Sequence, residues 1–359
     1  MRSLDKDELD ELALGATLLG NGGGGDPFIA KLIAEQAIDD YGPVQIAKLE
    51  DLPDDAQLCT VAVIGAPTVI IEKIPAGSEF TEAVRALAAY IGRDIDAILP
   101  VEVGGMNTLI PLSVAAELGI PCVDADGMRR AFPQVEMTTF TLHGLSATPM
   151  SLADEKGNKV AFETVTNQMG ERLVRQCAMN LGLANAFASY PMSVAQAKEA
   201  SIPDSLEYCS TIGRQLRAIQ RHEEGAWDAF LGYTQGHIVF QGKIIDLDRR
   251  TTTGFARGTV TIEAFDDPGR TMRIEIQNEL LLAIEDGRPV VTPPDLICML
   301  DHETAEPITT EMLAYGHRVT VLGLPCADQW LHGDFLEVVG PKAFGYDVEF
   351  TPLRREATR

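Results

Sequence analysis

Between residues 58 and 123 the chain alternates short apolar runs, typical of buried strands, with longer segments of helical periodicity. The strand-like runs cover 58–64, 97–103 and 120–123, and the helical segments cover 79–91 and 107–118. Parallel strands need a crossover connection, which is usually a helix. The alternation therefore predicts β-α-β units and an α/β fold whose N-terminal sheet is mostly parallel.

The second half of the chain has a different pattern. Helical periodicity dominates from 168 to 222, and after 236 alternating β-branched segments are separated by turn-forming residues. A single hydrophobic core rarely extends to 359 residues, so two domains are expected. We predict an N-terminal α/β domain over 1–165 and a C-terminal domain, helical and then β-rich, over 166–359. Further strands over 137–142 and 159–165 are predicted to extend or flank the first sheet.

The chain is strongly acidic, with 53 Asp and Glu against 29 Lys and Arg and a formal net charge of −24. Such a charge repels phosphate backbones and anionic lipids, so neither nucleic acid nor membrane is expected as a partner. No run of about 18 apolar residues occurs, and the N-terminus is charged where a secretory signal would be apolar. A cytoplasmic protein with reduced cysteines is predicted, since no C-x-x-C pair is present.

A run of four glycines precedes a predicted helix. Its members are Gly22, Gly23, Gly24 and Gly25. Asp26 then fits the N-cap position and Pro27 the first helical position. Because the run follows a helix and no Gly-Lys-Ser/Thr comes after it, nucleotide binding is not predicted. Its backbone N–H groups could contact an anionic or carbonyl group of a ligand. The structural alternative is a flexible connector.

Acidic residues follow two of the predicted parallel strands. Glu102 comes after the second strand, and Asp124 and Asp126 come after the third. Loops at the carboxyl ends of parallel strands converge on a crevice where ligands bind. Carboxylates gathered there repel one another, so one could titrate near neutrality and act as a general base or acid. In the structural alternative these acids cap the next helix or pair with Arg129 and Arg130.

Other catalytic motifs are not found. The six histidines show no H-x-H or H-E-x-x-H spacing, and there is no G-x-S-x-G nucleophile elbow. The sequence requires no cofactor. A divalent metal held by Asp124, Asp126 and a histidine is an open alternative.

Several short motifs are spread over nearly the whole chain. They are GGGGDP at 22–27, GAPTV at 65–69 with EK at 72–73, VGG at 103–105, DADGM at 124–128 with RAFP at 130–133, RRTT at 249–252 with GFARG at 254–258, PDLI at 294–297, PITTE at 307–311 and GPKAFGYD at 340–347. In combination they resemble the S-methyl-thiohydantoin desulfurase family, formerly a domain of unknown function and associated with hydantoinase/oxoprolinase enzymes.

The resemblance implies a two-domain protein involved in the breakdown of hydantoin-like rings. The implied activity is hydrolytic: water replaces the thioether sulfur at the ring carbon between the two nitrogens, which gives a hydantoin and a thiol. We therefore expect a hydrolase acting on a small cyclic amide or amidine ring. The alternative is a non-catalytic accessory subunit or small-molecule-binding partner of a hydantoinase or oxoprolinase. A homo-oligomer is expected.

The candidate site combines the glycine run with the acidic loops. The predicted catalytic residues are Glu102, Asp124 and Asp126, of which Glu102 or Asp126 is the base that activates water. The predicted substrate-binding residues are Gly22, Gly23, Gly24, Gly25, Asp26, Glu72, Gly104, Gly105, Asn107 and Arg129. For this site to exist, the acidic turns and the glycine run must face one cavity.

Overall fold

The structure is a computed structural model that describes residues 1–65, 69, 73, 75–252 and 255–353. The described residues form ten α-helices: α1 (Leu9–Leu19), α2 (Pro27–Tyr41), α3 (Ser78–Ile91), α4 (Ile110–Leu118), α5 (Thr139–Leu142), α6 (Asn167–Asn180), α7 (Val194–Ala200), α8 (Ser205–Gln220), α9 (Ala226–Thr234) and α10 (Phe335–Val339). Helix α2 begins as its sequence predicts, because Asp26 accepts the backbone N–H of Phe28 at 2.9 Å and Pro27 follows it. Within the described part of the chain, no helix is both long enough and apolar enough to cross a membrane.

The first sheet has eight strands, in the spatial order β1-β2-β5-β4-β3-β9-β7-β8. They are β1 (Arg2–Leu4), β2 (Val44–Ala47), β3 (Gln57–Gly65), β4 (Ala97–Pro100), β5 (Cys122–Val123), β7 (Met150–Ala153), β8 (Lys159–Phe162) and β9 (Ala184–Ser193). The four neighbours β2, β5, β4 and β3 are parallel, and the outer pairs are antiparallel. The short strands β6 (Ala125–Asp126) and β10 (Ile202–Pro203) pair with each other. The predicted α/β class with its parallel sheet is confirmed.

Strand β9 interrupts the region in which helical periodicity dominates. It pairs with β3 on one side and β7 on the other, although it lies beyond the boundary predicted at residue 165. Six consecutive residues, 185–190, are buried. Ala, Asn and Pro, which are depleted in strands, make up five of its ten residues, so the sequence carries little strand signal here.

The second sheet has seven strands, in the order β15-β14-β13-β12-β11-β17-β16, and every neighbouring pair is antiparallel. They are β11 (His237–Thr252), β12 (Phe255–Ala264), β13 (Thr271–Gln277), β14 (Glu279–Glu285), β15 (Arg288–Val291), β16 (Leu296–Asp301) and β17 (Arg318–Leu324). The predicted helical segment followed by a β-rich part is thus confirmed.

Helices α1 and α8 join the two halves of the chain by close backbone contact. A Cβ atom at Gly15 would lie 2.0 Å from the carbonyl oxygen of Cys209, and one at Gly213 would lie 1.8 Å from that of Glu11. Glycine at both positions is therefore what lets these helices approach. None of the six cysteines, all of which lie in the described part of the chain, forms a disulfide.

The strand predicted over 137–142 is wrong, since 139–142 forms the short helix α5. The run is rich in threonine, which favours strands, but Thr138 acts as an N-cap and its side chain accepts the backbone N–H of Thr141 at 3.2 Å. Phe140 is fully buried against Tyr190, with ring centroids 5.1 Å apart. Capping and tertiary packing override the strand propensity here.

Candidate active site

A cavity of about 100 Å³ lies at the carboxyl ends of β3 and β4, and it is partly open to solvent. In parallel α/β sheets this edge is the usual place for a ligand. Its walls come from the glycine run, the end of β3, the loop after β4, the segment 128–135, helix α6, strand β9 and the connection between β13 and β14. The lining residues are Gly24, Gly25, Ala62, Val63, Ile64, Gly65, Val101, Glu102, Met106, Asn107, Met128, Phe132, Pro133, Gln134, Val135, Arg175, Phe187, Asn278 and Glu279.

The glycine run is fixed to the second sheet by Asn21. The Asn21 side chain donates to the carbonyl of Leu280 at 2.7 Å and accepts the backbone N–H of Ile297 at 2.7 Å. The carbonyl of the next residue, Gly22, accepts hydrogen bonds from both the backbone N–H and the hydroxyl of Thr310, each at 2.8 Å. These bonds determine which part of the second sheet faces the first-domain loops.

Gly23 and Gly24 have no room for a side chain. A Cβ at Gly23 would lie 2.2 Å from Oε1 of Glu279, and a Cβ at Gly24 would lie 2.8 Å from the carbonyl oxygen of Gly104. Gly24 and Gly25 also have positive φ values of 72° and 74°, which glycine adopts without strain. The loop therefore lies directly against a carboxyl of the cavity.

Gly24 and Gly25 present backbone to the cavity just before helix α2. Among the described residues no hydrogen-bond acceptor contacts the N–H group of either glycine. Donors near a helix N-terminus favour a carbonyl or anionic oxygen. This part of the wall can therefore hold an oxygen atom of a bound ligand.

Glu102 is buried in the loop after β4. Its Oε1 accepts a hydrogen bond from Nδ2 of Asn107 at 2.7 Å, and Asn107 is held in turn by accepting the N–H of Val63 at 2.8 Å. Burial raises the pKa of Glu102 to about 7; the bond from Asn107 and the nearby N–H of Phe132 oppose this rise, and the charge of Asp126 adds to it. Oε2 of Glu102 has no hydrogen bond of good geometry within the described residues. At neutral pH this carboxyl can both accept and release a proton.

Glu279 is the second carboxyl of the cavity. It begins β14 directly after Asn278, whose φ of 57° lets β13 turn back into β14. Only 2% of Glu279 is exposed, and its Oε2 has no hydrogen-bond partner in the described part of the chain. Burial raises the pKa of Glu279 well above its usual value, and the charge of Glu102 raises it further, while Arg130 opposes the rise. Burial therefore favours the protonated form of Glu279, which is the form that can donate a proton.

Most of the remaining wall is apolar. Phe132 is packed edge-on against Trp330, with centroids 5.3 Å apart, and is stacked with Phe344 at 6.0 Å. The Trp330 indole N–H donates to the carbonyl of Met128 at 2.9 Å, which joins the C-terminal region to this wall. A cavity with apolar sides and a few polar groups is typical of small-molecule sites.

Two family models match nearly all of the chain. The S-Me-THD-like N-terminal domain matches residues 7–164, and the S-Me-THD-like C-terminal domain matches residues 165–353. The chain belongs to the S-methyl-thiohydantoin desulfurase family. The resemblance drawn from its motifs is confirmed.

The fold is shared with a protein from Chromobacterium violaceum whose crystal structure was determined by a structural genomics consortium. The TM-score is 0.81 and the sequence identity 23%, over 99% of this chain and 100% of that one. At this identity the similarity shows the fold alone. No curated protein matches the chain.

In this desulfurase-family protein the structure brings together Glu102, Asn107, Gly24 and Gly25, all of which line the cavity. Asp124 does not line it. Its Oδ1 accepts the backbone N–H groups of Leu206 at 2.7 Å and Glu207 at 3.3 Å. Asp124 therefore binds the first turn of α8.

Asp126 also lies outside the cavity wall, fully buried behind Glu102. Its Oδ2 accepts the backbone N–H groups of Val103 at 2.7 Å and Arg129 at 2.6 Å, and its Oδ1 accepts the Ser205 hydroxyl at 2.7 Å. Three donors use both carboxylate oxygens and tie the loop of Glu102 to the start of α8. Asp124 and Asp126 do not line the cavity because the start of α8 binds one oxygen of each. The backbone N–H groups of Val103 and Arg129 bind the other oxygen of Asp126.

The other predicted binding residues are dispersed. The Arg129 guanidinium donates to the carbonyl of Pro203 and lies 4.9 Å from the ring centroid of Tyr208, in a separate surface groove. Asp26 is exposed and caps α2. Glu72 lies outside the described residues.

Four of the predicted glycines support the cavity from behind. Gly22 and Gly23 anchor the glycine run as described above. A Cβ at Gly105 would lie 2.2 Å from the carbonyl oxygen of Gly24, and one at Gly104 would lie 2.9 Å from the backbone nitrogen of Ala131. These glycines allow three loops to pack together.

Sequence reasoning missed four polar residues of the cavity: Gln134, Arg175, Asn278 and Glu279. The only signal for Glu279 was the polar triplet 277–279 at the end of a strand. Arg175 is held by Glu171 at 2.6 Å and donates to the carbonyl of Pro133 at 2.6 Å. Within the described residues, no group of three or more His, Cys, Asp or Glu side chains is arranged to hold a metal ion.

Proposed function

We propose that this protein hydrolyses an S-alkylated thiohydantoin-type ring, replacing the ring sulfur substituent by oxygen and releasing a thiol. The observation that carries this proposal is the presence of two buried carboxyls, Glu102 and Glu279, on the wall of one cavity. Membership of the S-methyl-thiohydantoin desulfurase family supports the same ring chemistry.

The size of the cavity suits a small ring. A protein cavity of about 150 Å³ is large enough to bind benzene. The cavity here, about 100 Å³ and partly open, accommodates a five-membered ring with its substituent directed towards solvent. The apolar side formed by Met106, Met128 and Phe132 suits an S-methyl group, because methionine sulfur and aromatic rings make favourable contacts.

In the proposed reaction Glu102 is the general base. Water attacks the carbon between the two ring nitrogens, and Glu102 takes one of its protons as the new C–O bond forms. Its pKa of about 7 suits this task near neutral pH, because the carboxyl is then partly ionised and still basic enough to accept a proton. Asn107 fixes the direction of the accepting carboxylate.

Glu279 is the general acid. In its neutral form it donates a proton to the ring nitrogen as the water adds, which gives a tetrahedral carbon that carries both the hydroxyl and the sulfur. The C–S bond then breaks as the hydroxyl becomes the carbonyl of the hydantoin. The hydroxyl proton passes to the Glu279 carboxylate, and the proton on Glu102 passes to the departing sulfur, so the thiol leaves uncharged and both carboxyls return to their starting states. The N–H groups of Gly24 and Gly25 hold a ring oxygen and stabilise charge that develops on the ring.

The remaining predicted acids have supporting roles in this proposal. Asp126 holds the loop that carries Glu102, and Asp124 holds the start of α8. Neither carboxylate needs to touch the substrate.

The test is release of thiol from an S-methyl thiohydantoin by the purified protein. Glu102→Gln and Glu279→Gln should each lower kcat/KM by at least about 100-fold, the usual contribution of a general acid or base. In the unaltered protein kcat/KM should rise with pH through about 7, as Glu102 ionises.

Glu136→Gln is the matched control. Burial also raises the pKa of Glu136 to about 7, but this residue is outside the cavity lining, so its replacement should leave turnover unchanged. Full turnover in folded Glu102→Gln would refute the proposal. Ring binding without turnover, together with co-purification of a hydantoinase, would favour the accessory role instead.

A further inference from the structure

Arg130 is fully buried next to the cavity, yet it has no ion-pair partner among the described residues. Nη1 donates to the carbonyls of Pro294 at 2.6 Å and Asp295 at 3.0 Å, and Nε donates to that of Ala131 at 3.1 Å. The guanidinium lies 4.0 Å from the ring centroid of Phe132, which lines the cavity. Within the described residues no carboxylate lies within 4.0 Å of it, and Nη2 has no hydrogen-bond partner.

A buried cation whose contacts are all neutral is costly unless an anion lies nearby. Burial lowers the pKa of Arg130 to about 10, and the charge of Glu279 is the foremost opposing influence. Arg130 therefore stays cationic at neutral pH and requires a counter-charge. The titratable groups that face this cluster are Glu102, Asp126, Glu279, Asp295, Cys298, Glu311 and Cys326.

Most of these groups are already committed. Asp126 accepts three hydrogen bonds, as described above. Asp295 uses one oxygen for the N–H of Cys326 at 2.9 Å and the other for the N–H of Leu353 at 2.7 Å. Glu311 is stabilised by the hydroxyls of Thr309 and Thr310 and by Arg249, and burial raises the pKa of Cys298 to about 12, so this thiol is neutral.

Three carboxyls of this cluster, Glu102, Glu279 and Glu311, each keep an oxygen without a hydrogen-bond partner in the described chain. The charge of Arg249 already acts on Glu311, which leaves Glu102 and Glu279, the two that line the cavity, as counter-charges for Arg130. If both were neutral, Arg130 would lack a counter-charge; if both were ionised, two anions would repel each other in one cavity. One shared proton satisfies both conditions.

We propose that Arg130 is a positioning residue, a buried counter-charge that keeps one of Glu102 and Glu279 ionised while the other stays protonated. This role rests on the proposed function, because it supplies the cavity with a base and an acid at the same time. Arg130 does not touch the substrate. It acts through the two carboxyls.

The test compares Arg130→Met, which removes the charge, with Arg130→Lys, which keeps it. Two readouts are measured against pH: kcat/KM for thiol release, and the carboxylic-acid C=O band in the infrared spectrum, assigned with Glu102→Gln and Glu279→Gln. In Arg130→Met the midpoint of the first ionisation should rise by about one pH unit or more in both readouts. In Arg130→Lys the midpoint should stay near that of the unaltered protein. The control Arg221→Met, which removes a surface guanidinium, should also leave the midpoint unchanged.

An unchanged midpoint in folded Arg130→Met would overturn the inference. The infrared readout needs no turnover. If the infrared midpoint shifts in Arg130→Met but the unaltered protein releases no thiol, the role of Arg130 is supported and the proposed function is rejected. If the unaltered protein releases thiol but the midpoint does not shift, the proposed function is supported and the role of Arg130 is rejected.

If Arg130→Met does not fold, Glu102→Gln provides the decision with Arg130 in place. The amide removes the carboxylate that balances Arg130, so Glu279 becomes the remaining counter-charge, and the midpoint of its carboxylic-acid band should fall by about one pH unit or more. An unchanged Glu279 midpoint would mean that Arg130 requires no carboxylate counter-charge, and the inference would be wrong.

Discussion

Glu102 links the proposed chemistry to the stability of the fold. Burial favours the protonated form of its carboxyl. Its folded-state pKa of about 7 lies above the ordinary value of 4.5. The folded protein therefore holds this proton more tightly than the unfolded chain, and stability is lost as pH rises from about 4.5 through about 7. Glu102→Gln has no carboxyl at this position and does not lose this stability. The difference in free energy of unfolding, Glu102→Gln minus the unaltered protein, should therefore increase by about 2 kcal/mol between pH 5 and pH 8.

Chemical denaturation at the two pH values measures this difference. Glu8→Gln is the surface control, because the Glu8 side chain is half-buried and pairs with Arg2 at the surface. A constant difference between Glu102→Gln and the unaltered protein would show that Glu102 is not a raised, buried acid.

Sequence reasoning was able to locate part of the cavity at the level of single residues. Glu102 and Asn107 follow from the rule that loops at the carboxyl ends of parallel strands converge, and Gly24 and Gly25 follow from the glycine run before a capped helix. Glu279 did not follow, since it begins a strand of an antiparallel sheet and approaches the cavity only through tertiary packing.

The same limit applies to the two aspartates, Asp124 and Asp126. Their position after β5 is the one that suits a ligand, but the start of α8, far along the chain, donates hydrogen bonds to both. No local pattern indicates which loop or helix will take up a carboxylate.

Among the structural elements, the glycine loop before α2 allows a sharp test. Gly23, unlike Gly22 and Gly24, does not have a positive φ, so alanine is compatible with its backbone. Its Cβ would, however, lie 2.2 Å from Oε1 of Glu279. We expect Gly23→Ala to cost about 1–3 kcal/mol of stability and to displace Glu279, with loss of turnover.

Gly232→Ala is the matched control, because no atom lies within 4 Å of the added Cβ and the residue is inside helix α9. It should be neutral or stabilising by up to about 1 kcal/mol. Thermal unfolding and thiol release of the two variants provide the comparison. Equal behaviour would show that Gly23 is only a flexible connector.

Elements were predictable where their signal is local. Such signals are carried by the N-cap and proline of α2, by the apolar runs of β3 and β4, and by the β-branched strands of the second sheet. Strand β9 carries little such signal, because half of its residues are Ala, Asn or Pro. Helix α5 was mistaken for a strand because its threonines favour strands, whereas Thr138 serves as its N-cap.

At the scale of the whole molecule, the two predicted domains depend on each other. Strand β9 joins β7 and β8 to β3, and Thr60 accepts or donates a hydrogen bond with the Ser189 hydroxyl at 2.8 Å across that junction. We expect a fragment of residues 1–164 to lack cooperative thermal unfolding, since it loses an inner strand of its own sheet. Co-expression with residues 165–359 should restore it.

Circular dichroism during heating measures this cooperativity, with the full chain as reference. Cooperative unfolding of the fragment alone, at a temperature near that of the full chain, would show that the first sheet does not need β9. The boundary predicted at residue 165 would then also be a folding boundary.

The central claim is that a hydantoin-type ring binds between Glu102 and Glu279. The most direct measurement is a crystal structure of the protein with a hydantoin, the product of the proposed reaction. We predict the ring in the cavity at the ends of β3 and β4, with the carbonyl between its two nitrogens facing both carboxyls. A ring bound elsewhere, or a cavity that stays empty at saturating hydantoin, would contradict the claim.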